Sequence, residues 1–242
     1  MKIVLIGYGK MGQMIAQMAS ARGHEIIAIL DSAKASATEA DKIELLKNGD
    51  VAFEFTRPDA VIGNIELCLK AGIPLVTGTT GWMNQLGEVS QWVKEKNGSL
   101  VYASNFSIGV NLFMKMVDHC NQIMMEYPEY LLSMKEWHHQ QKLDAPSGTA
   151  LSIGEVIQQK RHFPEGIQLN EEEKASKHYL AIEAIREGSI TGTHQVRFQS
   201  ETDEITLRHT AFNRSGFAGG ALYAAEWIQG KKGLYNFSEI LP

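Results

Sequence analysis

Residues 2–31 read KIVLIGYGKMGQMIAQMASARGHEIIAILD. Lys2–Ile6 is a continuous apolar, β-branched run, the pattern of a parallel strand buried on both faces. It enters Gly7-Tyr8-Gly9-Lys10-Met11-Gly12 directly, and then Met14, Ile15, Met18 and Ala19 recur at helical spacing. Gly23-His24 leads into a second apolar run, Glu25–Leu30, which ends at Asp31. A G-x-G-x-x-G set between strand and helix, with an acid closing the next strand, is the fingerprint of a dinucleotide site. Gly7 permits the tight turn, Gly9 lets backbone approach a pyrophosphate, and Gly12 lets the helix pack closely on the strand. Asp31 stands where a carboxylate accepts from the adenosine ribose. An acid there disfavours a 2′-phosphate and only Lys34 nearby offsets it, so NADH is expected to be preferred over NADPH.

The alternation continues downstream. Val51–Phe55, Pro74–Thr77 and Leu100–Ala103 read as further strands, with helices over about Ala60–Lys70 and Met83–Lys96. Residues 32–49 are polar, with a short amphipathic piece at Ile43, Leu45 and Leu46. In an open α/β sheet the ligand crevice lies at the carboxyl ends of the strands. The loops there are Thr56-Arg57-Pro58-Asp59, Gly78-Thr79-Thr80-Gly81 and Ser104-Asn105-Phe106-Ser107. Small, hydroxyl-bearing loops suit contact with a ribose or nicotinamide, and equally suit plain turn chemistry.

Beyond residue 105 the pattern changes. Val110–Met125 is a longer amphipathic helix whose methionines are core packing. Leu131–Trp137 reads as a strand, a helix follows at about Leu151–Arg161, and a solvated polar loop holds Asn170–Lys177 with Glu171, Glu172 and Glu173. Ala181–Arg186, Thr191–Phe198 and Glu204–Ala211 alternate like antiparallel strands. A helix over Phe217–Ile228 then returns the chain to the first domain. The expected fold is α/β: a Rossmann dinucleotide-binding domain (1–105 and 213–242) with an inserted α+β domain (106–212). The inserted domain is built on an open, mainly antiparallel sheet that invites oligomer packing.

The strand at 131–137 delivers KEWHHQQKLDAPSGTA, residues 135–150. His138, His139, Lys142 and Asp144 fall within a few positions, and Pro146-Ser147-Gly148-Thr149 opens a helix. Free N–H groups and the positive dipole end at a helix start attract anions. The stretch is either a proton-donating site for a carboxylate-bearing substrate or a solvated loop with a capped helix. Among 242 residues, 23 basic against 28 acidic side chains give a net charge of −5 with no basic tract. That argues against a nucleic-acid or anionic-membrane partner. Cys68 and Cys120 fit buried free thiols, and His138, His139 and His194 match no common zinc spacing, so no metal is expected. No signal-peptide cleavage pattern follows the N-terminus, and no apolar stretch nears the ~20 residues of a membrane span. The expected location is the cytoplasm.

Taken together, these motifs resemble the dihydrodipicolinate reductase (4-hydroxy-tetrahydrodipicolinate reductase) family. The residues that carry the likeness are Gly7–Gly12, Glu54-Phe55-Thr56-Arg57-Pro58, Gly78–Gly81, Ala103–Asn111 and His138–Thr149. Arg186-Glu187-Gly188-Ser189-Ile190, Gly192-Thr193-His194 and Arg214-Ser215-Gly216-Phe217-Ala218 extend it over essentially the whole chain. The resemblance implies a homotetrameric enzyme of lysine biosynthesis that reduces a small cyclic dicarboxylate with NAD(P)H and loss of water. It implies that Gly7, Tyr8, Gly9, Lys10, Met11 and Gly12 hold the pyrophosphate and Asp31 the ribose. Gly78, Thr79, Thr80, Ala103, Ser104, Asn105 and Phe106 would line the nicotinamide end. His138 would be proton donor with Lys142 assisting, while His139, Ser147, Gly148, Thr149 and Arg214 bind the dicarboxylate. Asp144 then reads as a turn residue. Gln140-Gln141 depart from the Arg-His common there, and Glu54 stands where aspartate is common.

Overall fold

Strand β1 (Lys2–Ile6) lies between β2 (Glu25–Leu30) and β3 (Val51–Glu54), parallel to both. The computed structural model describes residues 1–31, 38–170, 172 and 175–242. Lys34, invoked above for cofactor choice, and Glu171 and Glu173 of the polar loop therefore lie outside the described residues. The chain divides into two compact units, Met1–Ile108 with Ser215–Pro242, and Gly109–Arg214.

The first unit adds β4 (Leu75–Thr77), β5 (Ser99–Tyr102) and β11 (Gly233–Asn236), giving six parallel strands in the order β11-β5-β4-β3-β1-β2. Successive strand residues point to opposite faces, so β1 feeds two cores. Ile3 and Leu5 pack with Ile15 and Ala19 of α1 (Lys10–Ala21) and with Ala221 and Ala225 of α7 (Ser215–Trp227). Val4 and Ile6 pack with Ile65 of α3 (Val61–Ala71) and Val89 of α4 (Leu86–Glu95). Each such aliphatic side chain, fully buried, contributes about 1.5–3 kcal/mol. The amphipathic piece within 32–49 is α2 (Glu39–Lys47), started by a capping box between Thr38 and Asp41. Small residues let α7 approach closely: a Cβ on Gly220 would fall 1.7 Å from the Phe106 carbonyl oxygen.

The second unit holds α5 (Ile108–Met124, begun by the last residue of the first), β6 (Leu131–His138) and α6 (Gly148–Gln158). Four more strands follow: β7 (Ile167–Asn170), β8 (Leu180–Arg186), β9 (Gly192–Gln199) and β10 (Glu204–Ala211). Their order is β10-β9-β6-β8-β7. The sheet is mixed where a mainly antiparallel one was expected: β9 pairs antiparallel with β6 and β10, but β8 pairs parallel with both β6 and β7. The reason is α6, a helical crossover that carries the chain back so that the next strands run in the direction of β6. Strand periodicity does not encode direction. Phe113, Val117, Ile153 and Ile157 of α5 and α6 join Leu132, Met134, Ile182, Val196 and Phe198 in one core.

Two strands had no counterpart in the sequence reading. β7 and β11 have four residues each and sit at sheet edges, too short and too exposed to show a period. Helix α6 begins three residues before the expected Leu151 and stops at Gln158, and a 3₁₀ turn (Met83–Gln85) precedes α4. Cys68 is buried, whereas Cys120 is only half-buried; both are free. Burial, reinforced by the nearby charge of Glu54, pushes the Cys68 thiol well above its ordinary range. Among the described residues no helix is long and apolar enough to cross a membrane.

Candidate functional site

In the first unit the strand order 2-1-3-4-5 reverses between β1 and β3, so their carboxyl ends open a crevice. A cleft of about 640 Å³ lies there, lined by Gly7, Tyr8, Gly9, Asp31, Thr56 and Arg57 among others. Gly7 adopts φ +92°, and a Cβ on it would lie 2.4 Å from the Phe55 carbonyl oxygen. Its N–H donates to Leu30 O at 2.8 Å, which ties the turn to the end of β2. Gly12 is buried, and a Cβ there would fall 2.4 Å from Gly7 O. Gly9 caps α1 with no side-chain hydrogen bond, no acid occupies the first turn, and a Cβ on it would meet no atom within 4 Å. An uncapped helix start over accessible glycine backbone fits a pyrophosphate. Lys10 is exposed and Met11 half-buried on the same first turn.

The neighbouring loops are tied together by Glu54, fully buried and missed as a structural centre on sequence. Its carboxylate accepts from Thr56 Oγ1, from Thr77 Oγ1 at 2.6 Å and from Asn64 Nδ2 at 3.2 Å. Thr79 is buried, accepts at Oγ1 from Thr56 N at 2.9 Å, and its carbonyl takes the Trp82 indole N–H at 2.8 Å. A Cβ on Gly78 would strike the Phe55 ring, while Thr80 is exposed. Ala103 is buried, Ser104 exposed, and Asn105 Oδ1 accepts from Ser107 N at 2.8 Å. Phe106 belongs to the core, packed on Phe237 with ring centroids 4.9 Å apart, so its side chain is not free to meet a ligand.

In the second unit the decisive residue is one that sequence reading passed over. Glu136 lies two positions before His138, on the strand face whose earlier members are Leu132 and Met134. The apolar face thus ends in a buried polar cluster. Glu136 Oε1 accepts from Ser147 N and from Arg186 Nη2, both at 2.9 Å. Glu136 Oε2 lies 3.3 Å from His138 Nδ1 and 3.6 Å from His194 Nε2. Register explains the convergence: Glu136 faces His194 across the antiparallel pair, and His138 faces Arg186 across the parallel one. A carboxylate at a position where period two calls for an apolar side chain was the available signal. Of the three histidines, His138 and His194 converge on Glu136 and His139 does not join them. The ligand atoms of Glu136, His138 and His194 lie within 4.8 Å of one another. The Arg186 guanidinium already compensates the carboxylate, which makes this an ion-pair cluster more than a cation site.

Burial alone would raise the Glu136 carboxyl, but hydrogen bonds from His138, His194, Ser147 and Arg186 outweigh it and hold the group far below its ordinary range. Burial also holds His194 below the usual histidine range, against the pull of Glu136. Both groups therefore bind fewer protons folded than unfolded. Their contribution to stability is complete above about pH 6.5 for His194 and above about pH 4.5 for Glu136, and is lost on acidification below those values. The urea midpoint of wild type should fall as pH drops below about 6.5, more steeply below 4.5, and His194→Gln should flatten the upper part. A midpoint that rises on acidification would contradict the cluster.

The remaining expected residues are placed as follows. Lys142 binds Asp144 through both carboxylate oxygens at 2.8 Å, and these hydrogen bonds, with its charge, lower the Asp144 pKa. The Asp144 carbonyl accepts from Arg186 Nη2 at 2.6 Å. Ser147 is buried and caps α6, its Oγ accepting from Ala150 N at 3.1 Å and lying 3.3 Å from His194 Nε2. Gly148 is exposed and Thr149 half-buried on the first turn. His139 is half-buried, and Arg214 is exposed at the end of the unit.

The parallel sheet, its glycine turn and the crevice at the switch point define a protein of the Rossmann dinucleotide-binding class. Residues 1–106 match the family model "Dihydrodipicolinate reductase, N-terminus" and residues 109–241 its C-terminus counterpart. The chain belongs to the dihydrodipicolinate reductase family, pyridine-nucleotide-dependent oxidoreductases of the diaminopimelate route to lysine. The 4-hydroxy-tetrahydrodipicolinate reductase of Christiangramia forsetii is 38% identical over 241 residues, covering 100% of this chain and 98% of the relative. That of Clostridium novyi is 35% identical over 99% of this chain and 98% of its own. A dipicolinate-bound dihydrodipicolinate reductase from a Paenisporosarcina species superposes with a TM-score of 0.79 at 27% identity, over 99% of each chain. An amine dehydrogenase from Mycobacterium smegmatis shares the fold, with a TM-score of 0.63 at 11% identity over 100% of this chain and 96% of its own.

Proposed function

We propose that this protein is an NADH-preferring 4-hydroxy-tetrahydrodipicolinate reductase in which His138 donates the proton. The observation that carries the reading is the bridge made by Glu136. One buried carboxylate joins the strand end bearing His138 to the N–H of Ser147 at the start of α6. A proton donor and an anion-binding helix terminus are thereby held together. Bound nicotinamide supplies the hydride. Loss of a C3 proton and the 4-hydroxyl as water would leave a ring C=C conjugated with the imine, and hydride accepted at C4 would turn this into an enamine whose C3 then takes a proton. The chain's residues do the rest: N–H groups of Gly148 and Thr149 take one substrate carboxylate, and His139 or Arg214 takes another. The His138 imidazolium gives its proton to the enamine carbon, breaking N–H and forming C–H. An imidazole suits this because its ordinary pKa, about 6.5, is near working pH. Lys142, anchored by Asp144, assists as a second donor beside the site. The test is NADH consumption coupled to dihydrodipicolinate synthase with pyruvate and aspartate semialdehyde; no turnover by wild type rejects the reading.

The cofactor preference rests on Asp31, which lines the cleft at the end of β2. A 2′-phosphate brought beside that carboxylate meets like charge. Steady-state kinetics should give a higher kcat/KM with NADH than with NADPH, and Asp31→Ala should shift the ratio toward NADPH by about tenfold, or about 1.4 kcal/mol. A strong NADPH preference in wild type would overturn it. The family resemblance also supports a cytoplasmic homotetramer, which sedimentation equilibrium would test.

A further inference from the structure

The mechanism above uses the buried Glu136 only as a bridge, yet Ser147, Arg186, His138 and His194 all converge on it. We propose that Glu136 is the positioning residue for proton transfer: its Oε2, 3.3 Å from His138 Nδ1, keeps a proton on Nδ1 and presents Nε2 as the atom that donates to substrate. The inference deepens the reading of His138 as proton donor and rests on it.

Three observations support this. First, Glu136 cannot turn away, because Oε1 is held by Ser147 N and Arg186 Nη2 at 2.9 Å each. Second, Glu136 Oε2 and His138 Nδ1 are both buried and 3.3 Å apart, nearer than Oε2 is to His194 Nε2 at 3.6 Å, and no other group satisfies either atom with full hydrogen-bond geometry. A buried polar pair of this kind is costly unless the two atoms satisfy each other. Third, the opposite ring nitrogen faces the backbone of a glycine: a Cβ on Gly192 would lie 3.1 Å from His138 Nε2. Nδ1 thus faces the carboxylate, and Nε2 lies on the opposite edge of the ring, against Gly192.

The charged and titratable groups around His138 come from four directions. Glu136 is on its own strand, Arg186 on β8, His194 on β9, and Lys142 with Asp144 in the loop that follows. His194 adds little charge, because burial keeps it neutral over most of the working range. Lys142 is offset by Asp144, and Arg186 by Glu136 itself. Removing the Glu136 charge would leave the His138 imidazolium facing an uncompensated guanidinium. During turnover the Nε2–H bond breaks and a C–H bond forms on substrate. The neutral ring keeps Nδ1–H toward Glu136, which stays ionised, and Nε2 is reprotonated from solvent.

Two measurements test this. In wild type, ring-nitrogen NMR of His138 at alkaline pH should show the neutral Nδ1–H tautomer; an Nε2–H tautomer overturns the proposal. In Glu136→Gln, the limb of kcat/KM that falls with rising pH should move about 1–2 pH units lower. At a pH above that limb, activity should then drop about tenfold or more with KM for substrate little changed. An unshifted limb with uniformly reduced activity assigns Glu136 a structural role only and overturns the proposal. The NMR result does not depend on the variant folding. Failure of the donor role is read separately: His138→Gln with wild-type kcat removes that role, whereas the tautomer reports on Glu136 alone.

Discussion

Replacing His138 with glutamine is expected to lower kcat by about 10²–10³-fold while leaving KM within a few-fold of wild type. General acid catalysis by a placed side chain is worth about 10²–10⁴-fold. A loss confined to kcat marks an interaction made only in the transition state. Glutamine keeps much of the ring's volume and a hydrogen-bonding end, but its amide cannot give up a proton near neutral pH. The fold should survive the change. Glu136 retains Ser147 N and Arg186, and His194 remains beside it, so the buried carboxylate is not left uncompensated. Thermal unfolding within a few degrees of wild type would confirm that the loss is chemical. His139→Gln is the companion variant: as a carboxylate binder it should raise KM and leave kcat largely intact. If both variants behave alike, the division of labour between the adjacent histidines is wrong.

Gly12→Val should weaken NADH binding by about 10- to 100-fold and lower the melting temperature. The cause is steric and local. A Cβ at residue 12 would lie 2.4 Å from Gly7 O and 3.2 Å from Gly7 C. Either α1 must lift off the sheet or the Gly7 turn must open. The turn has little freedom, since Gly7 holds φ +92° and its own Cβ position is filled by Phe55 and Thr56. Overpacking of this kind costs about 1–3 kcal/mol. In a protein of this size that is a loss of about 2–12 °C in Tm. Gly9→Ala separates the two consequences. Its Cβ meets no protein atom within 4 Å, so Tm should hold while NADH binding still weakens. Isothermal titration with NADH and a thermal melt of each variant would decide. Intact binding in Gly12→Val would remove this turn from the cofactor site.

The two variants mark how far sequence alone could go. The glycines of the first turn were legible because their reasons are local: a positive φ, a close strand–helix approach, a backbone that must stay accessible. The same holds for α1 and α7, whose periods are long enough to read, and for β1 and β2, whose apolar runs are continuous. Ser147 as a helix cap and Lys142 beside Asp144 were within reach for the same reason, since their partners lie within three residues.

Glu136 was not legible in the same way. Its partners are Ser147, Arg186 and His194, 11, 50 and 58 positions away, and they meet through sheet register. Sequence shows that a carboxylate sits on a strand face; it does not show what lies opposite. Strand direction in the second sheet was hidden likewise, because alternation is identical in parallel and antiparallel strands. β7 and β11 are too short to carry a period at all. What the sequence by itself determined is the dinucleotide fold, its glycine turn and the residues of the basic stretch, because each depends on neighbours in the chain. What only the tertiary structure decided is that the basic stretch is organised by a buried carboxylate. That depends on which strands pair, and pairing is set by burial of whole faces between residues far apart in sequence.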